Sequence, residues 1–306
     1  MAIAANDQAH GILAQLDCLQ GVEFEAEDLH GGLTNRNLKV MTPERAMVVR
    51  ISSPNAGLLA IDRDNEFFNS SAAAASGVGA PVIEYQPALG VLVVEYLDLP
   101  TCVASDLQDF ERLRRIGAAC RQLHHGLRFR DTFDMFALQR RYLTLVQERG
   151  FRLPADYLDY LKKAQLIEQA LAQSDEGTVP CNNDLLAGNC LDDGTTVRLI
   201  DFEYSGNNDP CFELGNLWSE ATLPLEHLEV LIESYYGSPS PQKVARARLQ
   251  GLMSKYGWTL WASIQDGAGE IDFDFWSWGM EKYDRAVEEF RADSFDELLL
   301  TAAQRP

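Results

Sequence analysis

The side chains best suited to chemistry in this 306-residue chain lie between Asp184 and Asp201. Asp184 and Asn189 are five residues apart, and Asp201 follows a predicted hairpin that turns at 192–194. Because a short turn brings the two ends of a hairpin together, we expect Asn189 and Asp201 to lie side by side. Their oxygens can bind a hard cation such as Mg²⁺, while Asp184 can accept a proton from an attacking hydroxyl. This arrangement is typical of phosphoryl transfer, although a surface hairpin with ordinary acidic residues is the alternative interpretation.

A strand-rich segment precedes these residues. Short apolar or alternating runs, separated by turn residues, predict strands at 22–29, 38–41, 47–51, 81–85 and 91–96. A helical pattern at 60–77 is inserted among them and ends at a glycine. Strands joined by short turns favour a small antiparallel sheet over repeated βαβ units.

The remainder of the chain is mainly helical in pattern. Apolar residues recur with a period of 3.6 in 105–125, 136–149, 154–173, 225–236, 242–266 and 279–291. The sequence therefore predicts an α+β, bilobal fold. Residues 1–97 would form a small lobe built on an antiparallel β-sheet, and residues 98–306 a larger, mainly α-helical lobe, with the site between them.

Charge and composition limit the partners. The chain has 26 Lys and Arg against 46 Asp and Glu, a net charge of −20 with His neutral. This balance argues against a nucleic-acid partner and suits a cationic small molecule, although acidity also serves solubility alone. The sequence shows no signal peptide and no membrane span, so we expect a cytoplasmic protein. Nothing in it predicts the oligomeric state.

The string LIDFEYSGNNDPCFELGN, with D-x-x-x-x-N before it, resembles the choline/ethanolamine kinase family. That family lies within the aminoglycoside-phosphotransferase-like group of the protein-kinase-like fold. The resemblance implies that Asp184 is the catalytic base, that Asn189 and Asp201 hold Mg²⁺, and that ATP is the co-substrate. It also implies that Asp209 and Asn216 hold the following loop.

The first lobe extends the resemblance. Glycines Gly31 and Gly32 lie between two predicted strands, where backbone N–H groups can approach phosphates, and the side chains of Thr34 and Asn35 can add donors. A plain hairpin turn is the alternative at this position.

Three further assignments rest on the resemblance alone. Arg50 stands where protein kinases carry the phosphate-binding lysine, and choline kinase-like proteins have arginine there. Glu66 on the next helix would be its ion-pair partner. Glu95 and Tyr96 would form the hinge whose backbone meets the adenine edge.

A cluster of tryptophans in the sequence predicts where the acceptor substrate binds. Four lie within 21 residues, at positions 258, 261, 276 and 278. The surrounding sequence resembles the region of the family whose rings line the pocket for the ammonium group. The resemblance therefore implies a cation–π pocket with Trp258, Trp261 and Trp278, and with Glu203 adding charge attraction alongside Asp272 and Asp274. Packing in the core is the equally open alternative for these rings.

Two positions depart from the family. Asn182 replaces the usual histidine two residues before the catalytic aspartate, and Asn207 stands where many choline kinases have tyrosine. The second change favours ethanolamine or another amine over choline. The function predicted is a kinase that phosphorylates choline, ethanolamine or a similar amino alcohol. The alternatives are an aminoglycoside or other small-molecule phosphotransferase, and a catalytically impaired nucleotide-binding pseudokinase.

Overall fold

The computed structural model describes residues 9–29 and 32–304 of the chain. Gly31, predicted to be part of the phosphate-binding turn, lies outside the described residues. Within the described residues, five strands form one antiparallel sheet in the order β1-β2-β3-β5-β4. They are β1 Glu25–Leu29, β2 Arg36–Met41, β3 Ala46–Ile51, β4 Val82–Gln86 and β5 Val91–Glu95.

The sheet buries one apolar face and carries one inserted helix. Alternate residues of β3 and β5, such as the paired Val49 and Val93, are fully buried against the N-terminal leucines. Helix α1, Arg63–Ala75, begins at Asp62, whose carboxylate accepts the Asn65 amide at 2.9 Å. Glu66 lies on the buried side of this helix, and so points towards the sheet.

Strand β1 differs from its prediction. Its alternating sequence predicts a half-buried strand, yet only Leu29 is even partly buried and its other four residues are exposed. Among the described strands, β1 is at the edge of the sheet and has β2 as its single neighbour. An edge strand has fewer neighbours to cover it, so alternation in the sequence does not produce burial here.

The rest of the described chain is mainly helical, which confirms the α+β class. Its helices are α2 Phe110–His124, α3 Met135–Arg149, α4 Leu161–Gln173, α5 Pro210–Glu220, α6 Leu225–Tyr236, α7 Pro241–Ala268, α8 Phe275–Arg291 and α9 Phe295–Ala302. Short 3₁₀ turns occur at Asp17–Leu19, Pro87–Leu89, Ala104–Gln108, Tyr157–Tyr160 and Ala187–Asn189. Helices α5 and α9 were not predicted from the sequence.

Helix α7 is the centre of this helical part, and 21 of its 28 residues are buried. It contacts α5 so closely that a Cβ on Gly215 would come 2.0 Å from the Ala247 carbonyl oxygen. Glycine is therefore required where these two helices cross. Among residues 9–29 and 32–304, no helix combines the length and the apolar character needed to cross a membrane.

Two short antiparallel pairs interrupt the helices. Strand β6, Val179–Cys181, pairs with β9, Gly206–Asn208, and β7, Cys190–Asp192, pairs with β8, Val197–Leu199. The second pair is the predicted hairpin. The Ile200 amide donates to the Asn189 carbonyl at 3.0 Å, so the residue before Asp201 lies against Asn189.

Candidate active site

A cavity of about 480 Å³ opens between the sheet and the helical part. Its wall includes the apolar side chains of Val48 and Leu92 on the sheet and of Leu191 and Ile200 on the hairpin. An apolar slot of this size with polar groups at one end suits a nucleotide. The predicted site residues that line it are Gly32, Arg50, Glu66, Glu95, Tyr96, Asn189 and Asp201.

The polar end of the cavity is a chain of charges. Arg50 donates to Glu66 at 2.7 Å and to Asp201 at 2.6 Å. Burial opposes the charge on Arg50, but the two carboxylates outweigh it and raise the pKa of the guanidinium. The predicted Arg50–Glu66 pair is therefore present, and it connects the sheet to α1 and to the loop at Asp201.

Asn189 and Asp201 offer oxygens to the same cavity. The Asn189 side-chain amide donates its N–H to the Asp184 carbonyl at 2.8 Å, which leaves the side-chain oxygen for another partner. Asp201 has a φ of 64°, a left-handed conformation that is costly for a residue with a Cβ. Amide and carboxylate oxygens are the donors that Mg²⁺ prefers, so these two residues fit that ion.

Asp184 lies at the start of the same loop, half-buried. Burial, followed by the nearby Asp201 and Glu203 carboxylates, holds the pKa of Asp184 well above its usual range. A carboxylate with a raised pKa holds a proton more tightly, which suits a group that must accept one from a hydroxyl.

Glu213 on α5 holds the loop that carries Asp184. One Glu213 oxygen accepts the Asn182 amide at 3.0 Å and the other accepts the Asn183 amide at 2.7 Å. Asn183 has a φ of 68°, and its side chain donates to the carbonyls of Tyr204 and Gly206. These bonds hold the left-handed backbone of Asn183, which is uncommon for a residue with a Cβ, immediately before Asp184.

Asn182 makes a bond on either side of the site. Its Nδ2 donates to the carbonyls of Ile200 and Asp201 at 3.1 and 2.8 Å, and its Oδ1 accepts the Asp184 amide at 3.1 Å. The side chain thus joins the loop of Asp184 to the loop of Asp201. An asparagine side chain, although shorter than a histidine, is long enough to join these two loops.

The phosphate-loop residues separate into two groups. Gly32 lines the cavity, whereas Thr34 and Asn35 lie outside its lining. Asn35 donates to Glu203 at 2.7 Å and accepts from Arg63 at 2.6 Å, so its side chain already has a partner in each of the two parts of the fold.

One further contact extends this link between the two parts of the fold. Gln265 of α7 donates to the Leu33 carbonyl at 2.8 Å. Glu203, the partner of Asn35, is buried, and burial with the neighbouring Asp201 raises the pKa of Glu203 to about 7 against the opposing charge of Arg50.

The hinge residues border the cavity, but both amides are already used. Glu95 donates its N–H to the Pro81 carbonyl at 2.8 Å, and Tyr96 donates to the Ala46 carbonyl at 3.1 Å. A nucleotide could use these two amides only by breaking those bonds.

The tryptophans form an aromatic group next to the loop of Asp184. Trp258 and Trp261 are buried on α7, and the Trp261 indole donates to the Tyr204 hydroxyl at 2.8 Å. The Tyr204 ring meets Trp258 edge-on at 4.9 Å, and Trp261 lies 5.4 Å from the half-buried Trp278. Core packing and a shared aromatic surface are therefore both present in the same group.

Other predicted positions have structural partners. The exposed Asp274 caps α8 by accepting the Ser277 amide, and Trp276 stacks on the Arg152 guanidinium at 3.9 Å. Asp272 is exposed. Asn207 is buried and bonds to the backbone of Phe129 and Asp131. Asp209 caps α5 and pairs with Arg246, while Asn216 donates to the Leu185 carbonyl at 3.4 Å.

Several residues around the site were missed in the sequence. The buried His124 lies 3.6 Å from Glu213, and Arg63 joins Glu66 to Glu203. Lys282 and Glu220 form a buried pair. Apart from Arg63–Glu66, which lies within α1, each of these contacts joins elements far apart in the chain. Glu213 alone had a local signal, because it lies inside the motif between the two residues assigned to hold the loop.

Comparison with known proteins agrees with this geometry. The family model for choline/ethanolamine kinase matches residues 26–236. Rat ethanolamine kinase 2 and the LicA protein of Haemophilus influenzae are each 28% identical, over 83% and 84% of this chain and 73% and 78% of their own lengths. The crystal structure of a choline/ethanolamine kinase family protein from Mesorhizobium loti is 30% identical with a TM-score of 0.85, and covers 97% of this chain and 99% of its own.

Proposed function

The chain belongs to the choline/ethanolamine kinase family, and from this premise we propose that it transfers the γ-phosphoryl group of ATP to the hydroxyl of choline, ethanolamine or a similar amino alcohol. Membership makes it an ATP-dependent phosphotransferase with an alcohol acceptor. Residues 1–97 would form the nucleotide-binding lobe and residues 98–306 the catalytic and acceptor lobe of a cytoplasmic enzyme.

One observation carries this proposal: the loop of Asp184 adjoins the nucleotide cavity on one side and the helix next to the aromatic group on the other. Asp184 adjoins the nucleotide cavity through Asn189 on one side. On the other, α5 is bonded to the same loop through Asn216 and packs against the tryptophan-bearing α7. A hydroxyl held by the aromatic group would therefore lie next to the base, and a phosphate in the cavity would lie beyond it.

In this proposal each residue has a distinct task. Asp184 takes the proton from the acceptor hydroxyl, and its raised pKa suits that task. Arg50, fixed by Glu66, neutralises phosphate charge at the polar end of the cavity. Asn189 and Asp201 would hold Mg²⁺, which when bound supplies further charge neutralisation to the phosphates.

The aromatic group supports an amine as the acceptor. Ring faces attract an ammonium ion, and the attraction strengthens when water is excluded. Trp258 and Trp261 are less than a tenth exposed, and the acidic Glu203 lies next to Tyr204, whose ring packs on Trp258. An uncharged polyol would gain nothing from such rings beyond apolar contact.

The test is a coupled ADP-release assay with choline, ethanolamine, thiamine and a panel of aminoglycosides. We expect turnover with one or more amino alcohols, and its loss in Asp184→Asn by a factor of at least about 10² with ATP affinity retained. Turnover with aminoglycosides alone would refute the acceptor class. ATP binding without turnover on any acceptor would refute the enzyme and leave a binding protein.

A further inference from the structure

A lysine is built into the aromatic group. Lys282 lies on α8 one turn after Trp278, and its Nζ is 4.1 Å from the centre of the Trp278 ring. The side chain is 4% exposed and donates to an oxygen of Glu220 at the end of α5. The face of the Trp278 ring that Lys282 covers is therefore already occupied by an ammonium ion that belongs to the protein.

The same group contains two polar atoms that lack partners among the described residues. They are the second Glu220 oxygen, Oε1, and the Trp258 indole N–H, and both atoms are buried. A buried polar atom without a partner costs free energy, so it marks a place where a ligand can form a hydrogen bond. The free Glu220 oxygen is an acceptor that only an N–H or O–H group can satisfy.

These atoms lie at the acceptor side of the site. Glu220 is one turn beyond Asn216, which donates to the Leu185 carbonyl immediately after Asp184. Trp278, which Lys282 covers, is 5.4 Å from Trp261. The pair thus lies between the loop of the catalytic carboxylate and the tryptophans.

We propose that the Lys282–Glu220 pair makes this site selective for acceptors whose ammonium group carries an N–H, and selects against a quaternary ammonium. The inference rests on the proposed amino-alcohol kinase function and deepens it. Lys282 repels a second cation and covers a ring face that a quaternary group needs. The free Glu220 oxygen can accept a hydrogen bond from an ammonium group only where that group carries an N–H.

The test measures kcat and KM for ethanolamine, its N-methyl and N,N-dimethyl derivatives, and choline. The first three retain an N–H when protonated, and choline does not. We expect kcat/KM to change little across the first three and to fall at least about tenfold at choline, with the loss mainly in KM.

Substitution of Lys282 then tests whether the Lys282–Glu220 pair sets the acceptor preference independently of the stability of the protein. Lys282→Met removes the internal cation and should raise choline kcat/KM relative to ethanolamine about tenfold, whereas Lys282→Arg keeps the charge and should keep the preference. Lys243→Met is the matched control, because Lys243 is also buried, paired with a glutamate and placed over an aromatic ring, Tyr236. It should leave the ratio unchanged.

The outcomes distinguish the two levels of the argument. Two results would overturn this inference and leave the kinase function intact. One is turnover with similar kcat/KM for ethanolamine and choline, and the other is a ratio of the two kcat/KM values that Lys282→Met does not alter. The absence of turnover with every amine would overturn both. If Lys282→Met fails to fold, Glu220→Gln provides the second test, because it removes the carboxylate and should lower ethanolamine kcat/KM more than choline kcat/KM.

Discussion

Replacing Glu213 by glutamine tests how the catalytic loop is positioned. Glu213 is fully buried, and its two oxygens accept the amides of Asn182 and Asn183. Glutamine keeps the shape but turns one oxygen into a donor, so one loop amide loses its acceptor and faces another N–H. A buried amide left without a partner costs about 1–3 kcal/mol.

That cost can appear as a lower free energy of unfolding or as a higher barrier to the reaction. The loop relaxes to recover a hydrogen bond, and because Asn182 and Asn183 directly precede Asp184, the base moves with it. If the whole cost falls on the transition state, kcat decreases by about tenfold to a hundredfold. We expect KM for ATP to change little, because Glu213 is outside the cavity lining.

The assay is coupled ADP release at saturating ATP and acceptor, with urea unfolding of the same samples. Glu168→Gln is the control, since it makes the same substitution at a surface glutamate, which pairs with Arg140, and it should match the wild type. A Glu213→Gln protein with a lower free energy of unfolding but a kcat within about twofold of the wild type would refute the reasoning. The carboxylate would then stabilise the fold without positioning the base.

Three further predictions concern separate parts of the molecule. Hydrogen bonding from Arg115 lowers the pKa of Asp192 to about 2, so the carboxylate adds stability above pH about 4 that is lost as the pH falls through 2. Asp192→Asn should lower the free energy of unfolding by about 2 kcal/mol at pH 7 and by little at pH 2, as urea titrations at both pH values would show. Gln265→Ala removes the bond to the phosphate loop and should raise KM for ATP about fivefold with acceptor KM unchanged; an unchanged ATP KM would count against the tether. Trp261→Phe removes the bond to Tyr204 and should raise acceptor KM several-fold without altering ATP KM, and equal effects on both would contradict a role on the acceptor side.

The parts of the site that the sequence could predict are those encoded locally. Asn189 and Asp201 flank one hairpin, and a hairpin brings its ends together whatever the rest of the fold does. The helical lobe was also visible, because most of its helices bury one face and so keep a 3.6 period. Helix α5 was missed since nearly all of its side chains are buried, and a helix buried on every side has no such period.

The contacts that could not be predicted join distant segments. Asn35 was assigned to phosphate binding, yet its side chain meets Glu203, 168 residues away. Residue type cannot distinguish these two uses, because an amide near a glycine turn serves either. The exposure of strand β1 was unpredictable for a related reason, since it depends on which strands and helices of the described chain lie beside it.

Asn182 gives the active site a property that a histidine would not. The amide of Asn182 joins the loops of Asp184 and Asp201 through bonds that no proton can remove, since a carboxamide does not ionise between pH 4 and 9 in water. An imidazole in that place would gain a proton near pH ~6.5 and lose its only acceptor. The two loops therefore stay joined through Asn182 in an acidified environment.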